Sequence, residues 1–283
     1  MTETSSRPRR WFVTGASRGL GRAFAEAALA AGETVVATAR EVGTLRDLVT
    51  EYGERAVTLP LDVTDRPAVF AAVKEAVALV GGVDVLVNNA GYGLAGAVEE
   101  VSEAEARDEL EVNLFGALWC VQAVLPVLRE QGGGHIFQVS SIAGITAYPN
   151  LGLYCASKWA LEGLSEALAQ EVAGFGVTVT IVEPGEFRTG WSAGSLVRAT
   201  PLAAYDEVLA KRRHGLSGAY AHLQPGDPAK AGRALLEVLA ADRPPLRLLL
   251  GRGAADLAPR VYGERLREWE SWRELAVGAD FDD

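Results

Sequence analysis

The chain predicts an α/β fold, a parallel sheet doubly wound by helices within one domain over residues 1–283, and three observations carry that reading. Short apolar runs of strand type alternate with helical stretches from residue 11 to residue 250. The first run ends in a glycine-rich turn that opens a helix. The chemistry-bearing side chains fall where successive runs stop, which in such a sheet is the edge where ligands bind.

Residues 11–14 form the first strand, followed by Gly15-Ala16-Ser17-Arg18-Gly19-Leu20-Gly21 and a helical pattern over 22–31. Glycine allows tight turns and close approach of backbone to phosphate, and the first turn of a helix offers unpaired N–H groups to an anion. The next strand, 34–38, ends at Ala39-Arg40. In a dinucleotide site an acid at this place takes the free 2′-OH of the adenosine ribose, whereas Arg accommodates a 2′-phosphate. No acid occupies 38–40, and Arg18 joins Arg40, so two guanidiniums favour NADPH over NADH.

Residues 56–61 read as a strand ending at Asp62-Val63, 67–80 as a helix, and 83–87 as a buried strand stopping at Asn88-Asn89-Ala90-Gly91. A long helical stretch covers 103–130, a strand 135–140, a helix 154–175 and a strand 177–182 before Pro184-Gly185. Strands that are apolar throughout belong to a sheet covered on both faces. Beyond Gly185 the pattern mixes Phe187, Trp191, Tyr205 and His214 with Gly and Pro, then resumes as a helix over 227–241 and a last strand over 246–250.

Tyr154-Cys155-Ala156-Ser157-Lys158 places a phenol and an ammonium at i and i+4 of a helix, hence on one face, with Ser141 thirteen positions upstream. A phenol of ordinary pKa, about 10, is about a thousandfold under-ionised at neutral pH, and a fixed positive charge nearby favours the phenolate. The same spacing also fits a solvated helix face with a snorkelling Lys, so the other motifs must carry it.

Thr14-Gly15-Ala16-Ser17-Arg18-Gly19-Leu20-Gly21, Asn88-Asn89-Ala90-Gly91, Asn113, Ser141, Tyr154-x-x-x-Lys158 and Pro184-Gly185 with Thr189 occur in order over residues 8–190. In this set the sequence resembles the short-chain dehydrogenase/reductase family. The resemblance implies a Rossmann-type fold, an NAD(P) cofactor, and hydride exchange between a ketone or aldehyde and an alcohol. It implies Tyr154 as acid/base, Ser141 on the reacting oxygen, Lys158 holding down the Tyr154 pKa, and Asn113 holding a water that links Lys158 to solvent. Gly15, Ser17, Arg18, Gly19, Leu20, Gly21, Arg40, Asp62, Val63, Asn89, Ala90, Gly91, Pro184, Gly185 and Thr189 are then the cofactor contacts, with Tyr154 and Lys158. Residues 186–218 take the place of the family's substrate lid, where Phe187 and Trp191 predict a hydrophobic substrate. The helices bearing Asn113 and Tyr154 carry apolar stripes that predict a homodimer or homotetramer.

Two other readings compete. Gly15-Ala16-Ser17-Arg18-Gly19 fits the G-x-S-x-G elbow of a serine hydrolase acting through Ser17, but it follows the first strand rather than several, and only His214 and His222 come late enough to close a triad. A cofactor-sensing protein without chemistry is expected to lose the Tyr or the Lys, and both are present.

Composition sets the outer bounds. A chain of 283 residues with 49% hydrophobic content suffices for one large core. A net charge of −10 disfavours nucleic acid, and the two cysteines, Cys120 and Cys155, supply no metal cluster and read as packed thiols. Cys155 adjoins Tyr154, so an alkylating reagent is expected to inactivate. Residues 1–10 lack an apolar signal core, and 112–128 contain Asn113, Gln122 and Pro126, so the expectation is a cytoplasmic protein without a membrane span. Residues 1–8, the cluster Arg7-Pro8-Arg9-Arg10 and the acidic end at 280–283 read as disordered tails. Residues 255–276 extend the chain and either cover the substrate mouth or join a neighbouring subunit.

Overall fold

A strand that is apolar on both faces needs cover on both sides, and the first two strands show how the chain provides it. The computed structural model describes residues 7–281. Its strands are β1 (Arg10–Val13), β2 (Thr34–Ala39), β3 (Ala56–Pro60), β4 (Val85–Asn88), β5 (Gly93–Ala95), β6 (Gly134–Val139), β7 (Val177–Pro184), β8 (Leu196–Arg198) and β9 (Arg247–Leu250). Trp11, Val13, Val35 and Ala37 enter one buried layer, and Phe12 and Val36 enter the other, as the two-residue period of a strand requires.

Seven strands form one parallel sheet in the order β3-β2-β1-β4-β6-β7-β9. Strand order reverses beside β1, and the crevice at the carboxyl ends of β1 and β4 is the expected place for a ligand. The first layer is covered by α1 (Gly19–Ala30), α2 (Arg46–Tyr52) and later α9 (Pro228–Ala240). The second is covered by α3 (Arg66–Val80), then, beyond α4 (Glu103–Leu110), by α5 (Gly116–Gln131) and α6 (Gly152–Val172). A Cβ on Gly232 would lie 2.6 Å from the Ala23 carbonyl oxygen, so α1 and α9 meet backbone against backbone.

The helix over 103–130 is interrupted by a π-helical turn at Glu111–Phe115, centred on Asn113. By length and composition Glu103–Gln131 could cross a membrane, but Cys120, Val124 and Leu128 are fully buried in the second layer. The segment 186–218 is folded: α7 (Trp191–Gly194), β8 and α8 (Asp206–Gly215), with β8 pairing in parallel with β5. The basic cluster is no disordered tail, because Arg7 and Arg10 both grip the carboxylate of Asp84 at 2.7–2.8 Å and Arg10 opens β1. The rest of that lead-in, residues 1–6, lies outside the described residues, as do Asp282 and Asp283. The Asp280 amide closes a turn on the Val277 carbonyl at 3.1 Å. The extension forms α10 (Arg252–Ser271) and α11 (Arg273–Val277), and past Arg265 every described residue is exposed.

Candidate active site

The turn after β1 is held rigid before any ligand is considered. Thr14 Oγ1 accepts the amides of Asn89 and Ala90, each at 3.0 Å, tying the end of β1 to the end of β4. The Asn89 carboxamide donates to the carbonyls of Thr14 and Gly15 at 3.0 and 3.1 Å. Gly15 and Gly19 have φ of +65° and +62°, which only glycine adopts readily. Gly21 serves packing, since a Cβ there would overlap the Asn89 carboxamide. α1 begins with Arg18 in extended conformation, without a side-chain cap and without an acid in its first turn. Its leading N–H groups are therefore available to an anion, which is what a dinucleotide pyrophosphate requires.

A cleft of about 1410 Å³ opens over this turn along the carboxyl edge of the sheet. The residues read from the sequence as cofactor or substrate contacts line it, apart from Gly21, and Ser141, Tyr154 and Lys158 line it as well. Arg18 and Arg40 both face the cleft with no ion pair among the described residues, and Glu41, the first acid after β2, does not line it. Asp62 Oδ1 is occupied by the amide and hydroxyl of Thr64 at 3.0 and 2.8 Å. Thr189 stands over Gly19, its Cβ 3.5 Å from where a Cβ on that glycine would be.

Ser141 follows β6, with its hydroxyl accepting the Ala143 amide at 3.1 Å. Tyr154 and Lys158 are one turn apart on α6, with the ammonium over the phenol ring. Lys158 Nζ donates to the Val139 carbonyl at 2.9 Å and lies 5.9 Å from the Tyr154 ring centroid. Burial pushes the Tyr154 phenol up to about 12, opposed by its contact with the Ser141 hydroxyl, and pushes Lys158 down to about 8. The phenol therefore stands above its ordinary value and not, as the resemblance implies, below it, because desolvation outweighs the Ser141 contact. Trp191 packs against Tyr154 with ring centroids 5.4 Å apart and leaves no space for a side chain at Gly93.

Asn113 is buried, does not line the cleft, and makes no hydrogen bond to Lys158. Its carboxamide accepts the Tyr92 amide at 3.0 Å and donates to the Tyr92 carbonyl at 2.9 Å and the Ser157 hydroxyl at 3.0 Å. Ser157 in turn donates to the Tyr154 carbonyl at 2.8 Å. The π-helical turn therefore clamps the chain after β4 to α6, between Tyr154 and Lys158. Glu109, one turn earlier on α4, is a residue the sequence reading missed. It is fully buried, takes the Leu94 amide at 3.0 Å through Oε1, and leaves Oε2 without a partner among the described residues. Burial pushes its carboxyl up to about 8, with Lys158 pulling it back. Its i, i+4 relation to Asn113 was the available signal.

Other expectations resolve as follows. Phe187 touches the cleft, but its ring belongs to the first core layer and packs over Gly226 and Gly251, so it is a fixed wall rather than a mobile lid residue. No described residue beyond Gln224 lines the cleft, so the extension does not cover the mouth. Cys155 is only 3% exposed, which shields it from alkylation, and Cys120 is buried too. No histidine lines the cleft among the described residues, and His135 is held in the sheet by the Thr180 hydroxyl, so Ser17 has no base. No metal-ligating cluster occurs among the described residues.

A family model described as short chain dehydrogenase matches residues 10–196. The chain belongs to the short-chain dehydrogenase/reductase family. The oxidoreductase BOA17 of Botryotinia fuckeliana is 42% identical over 273 residues, covering 95% of this chain and 98% of that protein. A crystal structure of a short-chain dehydrogenase from Streptomyces avermitilis shares 43% identity with a TM-score of 0.91, covering 97% of this chain and all of that one. An alcohol dehydrogenase from the archaeon Thermococcus sibiricus, solved with 5-hydroxy-NADP, shares 28% identity with a TM-score of 0.71, covering 86% of this chain and 96% of that one. The short-chain dehydrogenase/reductase is accordingly an oxidoreductase dependent on NAD(P), with the sheet its family predicts. Membership also overturns the serine-hydrolase alternative.

Proposed function

We propose that this short-chain dehydrogenase/reductase reduces a ketone or aldehyde at the expense of NADPH, with Tyr154 as the proton donor. The observation that carries the reading is that Ser141, Tyr154 and Lys158 line one cleft with an uncapped glycine turn and two guanidiniums that make no ion pair among the described residues. The turn and the start of α1 would hold the pyrophosphate, Arg18 and Arg40 the 2′-phosphate, and Tyr154 and Lys158 the nicotinamide ribose. The nicotinamide, when bound, supplies hydride to the carbonyl carbon.

Negative charge then grows on the carbonyl oxygen and must be met. The Ser141 hydroxyl stabilises it as a fixed dipole, and the Tyr154 phenol gives it a proton. The Tyr154 phenol is protonated at neutral pH at its ordinary value as at its raised one, as a proton donor must be. Lys158, held to the Val139 carbonyl, keeps its ammonium on the same side of α6 as the Tyr154 phenol. Asn113 positions α6 through Ser157.

Cofactor choice rests on Arg18 and Arg40, and the NADP analogue bound to the Thermococcus sibiricus enzyme is in keeping with it. Calorimetric titration of the protein with NADPH and NADH is the test: NADPH should bind at least tenfold tighter, and Arg40→Asp should reverse the order. Equal affinities, or tighter NADH, would contradict the assignment.

A further inference from the structure

α8 carries three consecutive basic residues, Lys211, Arg212 and Arg213, and the fold treats them differently. Arg213 is neutralised by the carboxylates of Glu100 and Asp206. Arg212 faces the cleft together with Leu209 and Leu216, which lie three positions before and four after it, on the same side of the helix. Its guanidinium rests 4.8 Å from the Tyr148 ring centroid, and its Nε is buried without a hydrogen-bond partner. The side chain makes no ion pair among the described residues. Glu186 lines the cleft and its charge also reaches the Tyr148 phenol, yet it forms no ion pair with Arg212.

A buried donor on a cation is costly to leave unmade, and a cleft is where a ligand can complete it. A second unsatisfied group lines the same cleft, the Gln224 carboxamide, whose Oε1 is buried without a partner. An amide end can present either its oxygen or its NH₂. Tyr148, Tyr154, Trp191 and Leu216 pack on one small apolar cluster, so Arg212 stands on the Tyr154 wall and not among the cofactor's phosphate contacts.

We propose that Arg212 binds an anionic oxyacid group, carboxylate or phosphonate, on the part of the substrate remote from its carbonyl, so that the substrate is an amphiphile with its apolar body against Tyr148, Trp191 and Leu216. The assignment of this anion to a substrate rests on the carbonyl-reductase reading; the anion site itself does not.

Calorimetric titration with octanoate, octylphosphonate and octanamide tests the site without turnover. Both anions should bind at least tenfold tighter than the neutral amide, and Arg212→Gln should bring all three within about twofold of one another. Arg212→Lys, which keeps the charge and loses the planar fork, should retain part of the preference. Octanoate alone favoured would assign carboxylates, and octylphosphonate alone the phosphonate class. Equal affinities in the wild-type protein, or a preference that survives Arg212→Gln, would overturn the proposal. Assaying a long-chain keto acid and its methyl ester with NADPH separates the two readings. No hydride transfer to either compound, with anion binding intact, would sink the reductase and leave the anion site standing.

Discussion

A carboxyl group enclosed by protein keeps its proton until burial is offset by a partner, and for Glu109 the Leu94 amide, the Asn113 carboxamide at 3.5 Å and the charge of Lys158 do not offset it. Its folded-state pKa is raised above the unfolded one, so the native protein binds the extra proton between about pH 4.5, the ordinary value, and about 8. Stability from this group is therefore complete below that window and declines as pH rises through it, by up to about 1.4 kcal/mol per pH unit. Glu109→Gln, which keeps the acceptor for Leu94, should flatten that decline in urea unfolding measured from pH 5 to pH 8. An unchanged slope would mean that Glu109 is ionised in the native protein. In the sequence only its i, i+4 relation to Asn113 sets this residue apart, because it sits in Glu103-Ala104-Glu105-Ala106-Arg107-Asp108-Glu109 among acidic residues that read as surface side chains. Arg212 was hidden likewise, inside a run of cations that reads as a solvated helix end.

At the scale of elements, the entry to α1 joins fold and ligand in one piece of backbone. Asn89 fills the space beside Gly21 while bracing the carbonyls of Thr14 and Gly15, so a methyl group there must displace a side chain tethered at both ends. Gly21→Ala should cost about 1–3 kcal/mol in denaturant unfolding and weaken NADPH binding by an order of magnitude or more. If both quantities held at wild-type values, Asn89 would not be the brace described here. The main strands were legible because they are apolar on both faces and end in Gly, Asp, Asn, Ser or Pro, and Tyr154, Lys158 and Ser141 were legible as motifs. Two elements were not. β5 and β8 are three residues each and pair across about a hundred positions, with Gly93 shaped by the distant Trp191. The π-helical turn lies inside a stretch that reads as continuous helix, and the buried Asn113 marks it. The direction of the Tyr154 shift was misjudged for a related reason. Spacing shows that a charge is near, but not how deeply both groups are buried.

At the scale of the molecule, α6, α5 and the π-helical turn before α5 leave part of their apolar stripes open: Leu114, Phe115, Leu118 and Trp119 are half-buried, and Trp159 is 42% exposed. α10 lies alongside, with the Arg265 guanidinium 4.6 Å above the Trp159 ring. We propose that these helices form a two-fold contact, and light scattering at micromolar concentration should return twice or four times the 30.0 kDa chain mass. A particle of 30.0 kDa would instead assign the open stripe to cover by α10 alone. The chemistry in the cleft is read out by following NADPH oxidation over a panel of ketones and aldehydes with wild-type protein and Tyr154→Phe side by side. Proton donation by Tyr154 predicts turnover by the wild type on at least one amphiphilic carbonyl compound and a loss of roughly 10²-fold or more in kcat for Tyr154→Phe, with NADPH affinity nearly unchanged. Wild-type kcat retained by Tyr154→Phe, or no turnover of any member of the panel by the wild type, would contradict it.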